Sequence, residues 1–308
     1  MRDLQRRLLV AGLAATLATV LLAGGYALGL VPDAGSDPSD SPTLAGSAAT
    51  SPSGTPSRTP PTPRPAVGKA VSKAPRPTTT RSTHAPAPPR PVSRTCTDPV
   101  FVTSDRDGGW STRGYYVHNN MWNSNEELGP ETLYACSHDN WYVVSKQTNN
   151  AGAVKTYPNV HKDYNDVPIS SFSRITSTFA ATSPHVGIYN VAYDIWTNGV
   201  ASDGSTEIMI WTENFNQVPA GDVAATVSLG GRAYKVWKTS DSHYIALVPT
   251  AVVTSGSIDL LEIFKWLMSK GWLPDNSTLG QIDYGVEIVS TEGRNATFSF
   301  TDFSITDS

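Results

Sequence analysis

Nine short stretches of this chain carry strand-like residues, many of them alternating apolar and polar with a period of two. They are Gly114 to Asn119, Trp141 to Gln147, Val186 to Trp196, Glu207 to Thr212, Ala224 to Ser228, Arg232 to Lys238, His243 to Pro249, Tyr284 to Ser290 and Ala296 to Ser304. Turn residues such as Asp107-Gly108-Gly109, Asp203-Gly204 and Gly230-Gly231 punctuate them. An extended backbone sends successive side chains to opposite faces, so alternation of this kind demands sheets with one buried and one wetter face. The expected fold is all-β, a two-sheet β-jelly-roll sandwich. One segment reads as a helix, with Ser257 as its N-cap and Ile258, Leu261, Phe264, Leu267 and Met268 as an apolar stripe ending before Gly271. It is expected to pack on the convex side of the sandwich.

This pattern occupies only part of the 308 residues. Arg2, Arg6 and Arg7 precede an uncharged apolar run from Leu8 to Val31. At about 1.5 Å per residue such a run can cross a hydrocarbon core of about 30 Å. Residues 1–31 are therefore read as a signal anchor, or a signal peptide if cleaved, with everything after it outside the cytoplasm. Residues 32–94 contain no Phe, Trp or Tyr and hold fifteen of the twenty-three prolines. A segment of that composition cannot bury enough apolar surface to offset its conformational entropy, and is expected to be a disordered linker. Its eight Lys or Arg against three Asp leave it basic.

Residues 95–308 carry twelve Lys or Arg and twenty-three Asp or Glu. That excess of negative charge argues against a nucleic-acid partner. Some 214 residues suit one all-β domain. The chain's two cysteines, Cys96 and Cys136, fall in the exported part, where a disulfide persists.

The chemistry concentrates on two strands. In Thr206-Glu207-Ile208-Met209-Ile210-Trp211, Glu207, Met209 and Trp211 share one face while Ile208 and Ile210 share the other. The isoleucines have a core to fill, so Glu207 looks into something wetter, and Trp211 beside it offers a flat surface for a sugar ring. A second glutamate, Glu287, lies in Tyr284-Gly285-Val286-Glu287-Ile288-Val289. Two inward-facing carboxyls on strands are the minimum apparatus for cleaving a glycosidic bond. A sandwich whose concave sheet forms an open groove accepts the middle of a polymer. Tyr115, Tyr116, Trp122, Tyr193, Trp196 and Trp211 are the aromatics expected along its floor. The six histidines show no metal-site spacing, and there is no Gly-x-Ser-x-Gly elbow or phosphate loop. Neither a metal nor a cofactor is expected.

Several segments together resemble glycoside hydrolase family 12, the small jelly-roll endo-β-1,4-glucanases. They are Asn119-Asn120-Met121-Trp122, Lys155-Thr156-Tyr157-Pro158-Asn159-Val160, Tyr193-Asp194-Ile195-Trp196, Glu207-Ile208-Met209-Ile210-Trp211, Gly231-Arg232-Ala233-Tyr234-Lys235-Val236-Trp237, and a late helix followed by the Glu287 strand. The resemblance implies Glu207 as nucleophile, Glu287 as general acid/base and Asp194 as the carboxyl neighbour of the nucleophile. Asn120 and Trp122 would bind glucosyl units on the non-reducing side of the cut, with Trp196, Met209 and Trp211 also lining the substrate. One departure stands out: the family's acid/base is usually followed by proline and an aromatic, whereas Ile288, Val289 and Ser290 follow Glu287. The implied activity is retaining hydrolysis of internal bonds in cellulose-like β-glucans. Xyloglucan or mixed-linkage glucan is the alternative substrate, and a non-catalytic carbohydrate-binding jelly roll the alternative class. A monomer is expected, extracellular and either secreted or held to the membrane by its N-terminal helix.

Overall fold

The computed structural model describes residues 95–148 and 153–308. The signal segment 1–31 and the linker 32–94 lie outside the described residues. Among the described residues no helix is long and apolar enough to cross a membrane.

Two sheets make up the fold. The smaller is built from β1 (Phe101–Thr103), β4 (Glu131–Ser137), β5 (Asn140–Ser145), β15 (Ala296–Asp307), β7 (Ile175–Thr182) and β13 (Ser255–Asp259), in that spatial order. The larger has nine strands. Its order is β10 (Asp222–Leu229), β11 (Arg232–Lys238), β12 (Tyr244–Pro249), β9 (Thr206–Phe215), β8 (Ile188–Thr197), β14 (Thr278–Ser290), β6 (Asn159–Pro168), β3 (Tyr115–His118) and β2 (Gly109–Thr112). Every pairing is antiparallel except that of β12 with β9. The all-β two-sheet sandwich read from the alternation is the fold observed.

The inner faces meet in one apolar core. Ile208, Ile210, Ile195, Ile282, Tyr284 and Val286 come from the larger sheet, and Leu133, Trp141, Phe179, Phe298, Phe300 and Phe303 from the smaller. Trp141 stacks on Phe300 at 4.0 Å between centroids, and Tyr284 lies parallel to Phe303. Tyr115 and Tyr193 belong to this core rather than to a groove floor. Tyr193 is fully buried against Phe179, and Tyr115 packs edge-on to Phe303. Both stand on the core side of their strands, on the face opposite Tyr116 and Asp194.

The helix, α1 (Leu260–Ser269), sends Leu260, Leu261, Ile263, Phe264 and Leu267 into the same core. It begins later than the apolar stripe suggested. Ser257 and Ile258 are still in β13, paired with β7, and the cap is Asp259, whose carboxylate accepts the Glu262 N–H at 3.0 Å. An aspartate is as good an N-cap as a serine, so the choice fell to the strand pairing.

Cys96 and Cys136 form a disulfide across a sequence separation of 40 residues. It ties the entrance of the domain to β4, beside the edge strand β1, which pairs over only three residues. Replacing both cysteines by serine is expected to cost about 4 kcal/mol, since the crosslink shrinks the unfolded ensemble of a loop this long. Urea unfolding of the double variant would measure it.

Candidate active site

The strand β8 lies between β9 and β14 in the larger sheet. Across its ladders Trp196 faces Glu207, Asp194 faces Met209 and Ala192 faces Trp211 on β9. On the other side Asp194 faces Asp283, Ala192 faces Gly285 and Asn190 faces Glu287 on β14. Directly opposed residues project from the same face of a sheet. Glu207, Asp194, Asp283 and Glu287 therefore all stand on the face turned away from the core. Glu207 and Glu287 each remain partly accessible, whereas Asp194 is 8% exposed and Asp283 is 4% exposed.

The two glutamates are not level. Glu207 is opposite Trp196 and Glu287 opposite Asn190, six residues apart along β8, with Asp194 between them. They nevertheless sense each other, since the charge on Glu287 raises the pKa of both Asp194 and Glu207. The ladders carry register shifts at Val191/Ala192 and at Ile288/Ser290, and bulges sharpen the natural twist of a sheet.

Burial is the largest cause of the upward shift at every one of these carboxyls. It pushes Glu287 up to about 7, against the Asn190 amide, which donates to Glu287 Oε2 at 2.6 Å and lowers it. Glu207 is raised well above the usual carboxylate range by burial, then by Asp194 and Glu287. Asp194 is raised by burial and by Glu287, while a hydrogen bond from the Trp196 side chain opposes the shift. Of the two causes that could hold a proton on the acid, burial and the charge of Glu207, burial is the one that acts at Glu287.

The segment Lys155–Val160 organises one end of this face by its backbone. Lys155 N donates to Ile288 O, Ile288 N to Thr156 O, and Val286 N to Pro158 O. A Cβ at position 285 would lie 2.2 Å from Pro158 O, so glycine is needed beside Glu287. The Asn119–Asn123 turn docks on the same segment, with Tyr157 N donating to Asn120 O and Asn123 Nδ2 donating to Val154 O at 2.8 Å. Asn120 has a left-handed backbone, φ 38°, and both it and Trp122 are partly exposed. This places them beside the end of β14 that carries Glu287.

Trp211 and Met209 do not meet the expectation of a sugar platform. Each is 1% exposed, packed with Ala192, Tyr244 and Ala246 and covered in part by Ala220, Trp237 and Val248. Trp211 Nε1 and the Tyr244 hydroxyl both point at Met209 Sδ, at 3.5 and 3.4 Å. No open ring face is left, and this cluster supports the strand beneath Glu207. Trp196 is also largely buried, and its use is the bond to Asp194. The face does present Trp237 and Tyr116, both partly exposed. His118 bonds Asp107 Oδ1 at 2.9 Å, in keeping with a structural histidine. A cavity of about 500 Å³ opens beside Met121, Arg106 and Glu131, apart from the carboxyls. Among the described residues no group of three or more His, Cys, Asp or Glu could hold a metal ion.

Sequence reasoning missed Asn190 and Asp283. Both were available by counting in twos, Asn190 back from Asp194 and Asp283 back from Glu287, but neither residue type announces itself on a strand.

A two-sheet sandwich with a row of carboxyls on the outer face of its larger sheet is the arrangement that a glycoside hydrolase of the jelly-roll class requires. Residues 113–307 match the family described as Glycosyl hydrolase family 12, and the chain belongs to that family. Among its relatives, Endoglucanase S of Pectobacterium parmentieri is 30% identical over 209 residues, covering 58% of this chain and 78% of that protein. The xyloglucanase domain of NopAA from Sinorhizobium fredii, solved in complex with cellobiose, superposes with a TM-score of 0.61 at 29% identity, covering 68% of this chain and all of that one. A relative from Phytophthora nicotianae, 27% identical over 204 residues (61% of this chain and 85% of that protein), is described as the inactive glycoside hydrolase XLP1.

Ile288, the departure from the family's usual proline, is fully buried in the core, and its N–H is used. A proline there removes a ladder donor and a core side chain together. Ile288→Pro is expected to cost about 3 kcal/mol or more in urea unfolding.

Proposed function

We propose that this chain is a retaining endo-β-1,4-glucanase, with Glu207 as nucleophile and Glu287 as general acid and then general base. The observation that carries the reading is the pair of partly accessible glutamates on one face, electrostatically coupled, with Asp194 between them. A purely sugar-binding module has no need to bury so many carboxyls, which is costly unless their chemistry is used. In the reaction Glu207 attacks the anomeric carbon while Glu287 passes its proton to the departing glycosidic oxygen. Glu287, now ionised, takes a proton from water, which releases the sugar from Glu207. The productive form, Glu207 ionised and Glu287 protonated, is one state of a coupled set. Asp194 supports it by not adding a second full negative charge beside Glu207.

A second substrate reading is favoured by the solved relative named a xyloglucanase. Asn120 and Trp122 are the proposed contacts on the non-reducing side, and the length of polymer engaged follows from an open face. The Cys96–Cys136 disulfide supports action outside the cytoplasm. Secretion or anchoring by residues 1–31, the spacer role of 32–94, and a monomeric state belong to the same proposal.

Glu207→Gln and Glu287→Gln, each folded, are expected to lose at least about a thousandfold in kcat on carboxymethylcellulose, barley β-glucan and xyloglucan. Full activity in Glu207→Gln would sink the mechanism, and the ranking of the three rates for the unaltered protein decides the substrate. Activity should fall as the pH rises through about 7, where Glu287 gives up its proton. Asn190 donates to the ionised form and lowers that value, so Asn190→Ala should move the basic limb to higher pH. A pH profile of kcat reads the shift.

A further inference from the structure

Asp283 is a fourth carboxyl on this face, outside the roles assigned above. It lies directly across the β8–β14 ladder from Asp194, where opposed Cβ atoms are about 4.5 to 5.5 Å apart. Both side chains are more than nine-tenths buried, and Oδ1 of each has no hydrogen-bond partner. Two buried carboxyls opposed across one ladder, each with an unpartnered oxygen, repel strongly unless a proton is shared. Trp196 donates a hydrogen bond to Asp194, and among the described residues no ion pair with Lys or Arg reaches either carboxyl. From β6, His161 faces Asp283, but its Nδ1 is bonded to Asn159 Oδ1 at 2.9 Å, and burial lowers its pKa to about 4, so it is neutral. Asp163, also on β6, is exposed and accepts from Gln281 Nε2 at 2.6 Å. The Tyr157 hydroxyl near these carboxyls donates to Ala192 O. Glu287 lies further along β14, and Glu207 lies beyond Asp194 on β9.

We propose that Asp283 is a positioning residue for the nucleophile: it shares one proton with Asp194 and so sets how much negative charge the Asp194–Glu207 end of the face can hold. Asp283 touches no reacting atom in this role. Burial, Asp194 and Asp163 all push its own carboxyl well up, in keeping with a shared proton. Charge lodged on Asp283 has to be accommodated before Glu207 can ionise, which holds the acid side of the activity profile up.

The inference rests on the two-glutamate reading, and the test separates the two. Asp283→Asn keeps the shape, removes the charge and places an amide donor toward Asp194. On soluble β-glucan its acid limb of kcat/KM should move to lower pH by on the order of one unit, with KM altered less than about twofold. Asp283→Ser, which removes the charge without the isosteric amide, should move the limb the same way. An acid limb that stays in place in both variants, whether or not the rate falls, overturns the proposal and leaves Asp283 a packing residue. In the Glu207→Gln background, carboxyl ¹³C NMR should show the Asp194 midpoint falling when Asp283→Asn is added, and an unmoved midpoint also overturns it. A Glu207→Gln protein that keeps full activity would instead remove the mechanism, whatever the NMR shows.

Discussion

Side chains on β8, β9 and β14 divide between two environments that cannot be exchanged. Ile195, Ile208, Ile210, Ile282 and Val286 enter the core, while their neighbours Asp194, Glu207, Met209, Asp283 and Glu287 stand on the outer face. A slip of one residue in any ladder would send a carboxyl into the core and an isoleucine out. The apolar contacts therefore fix the register, and the register places the carboxyls. Stability and catalysis are specified by the same alternation, one on each side of three strands.

Within that frame the site depends on backbone as much as on side chains. The segment from Lys155 to Val160 holds β14 on one side and the Asn119–Asn123 turn on the other, so Glu287 and Asn120 are positioned by one strip of chain. Lys155 itself is fully buried, its ammonium bonded to Thr148 O and Oγ1. Ile288 continues the ladder and the core past Glu287. With isoleucine at this position β14 continues past Glu287 to Ser290, through a bulge at Ile288/Ser290.

Period-two patterning made the sandwich and its glutamate strands legible, because alternation is a local property that burial enforces. The helix start was misread because Ile258 fits a helical stripe as well as a strand, and only pairing with β7 decides between them. Trp211 was misread for a related reason. Sequence places it on the outer face but is silent on Tyr244, Ala220 and Trp237, which arrive from other parts of the chain to cover that face. Asp283 and Asn190 went unseen because their importance comes from the residue opposite them, and cross-strand register is not a local property.

None of the four carboxyls takes part in an ion pair with Lys or Arg among the described residues. A guanidinium or ammonium beside them would offset the cost of burial, and would also hold each carboxyl ionised across the neutral range. That would stabilise the sheet and abolish the general acid. Burial raises these carboxyls toward their protonated forms, and the neutral donors from Asn190 and Trp196 oppose it at Glu287 and Asp194. On the proposed mechanism protons, unlike cations, can move between Glu287 and the glycosidic oxygen, and between Asp194 and its neighbours, as charge comes and goes on Glu207. The burial cost that a binding surface would avoid is, in a hydrolase, what keeps those protons available near neutral pH.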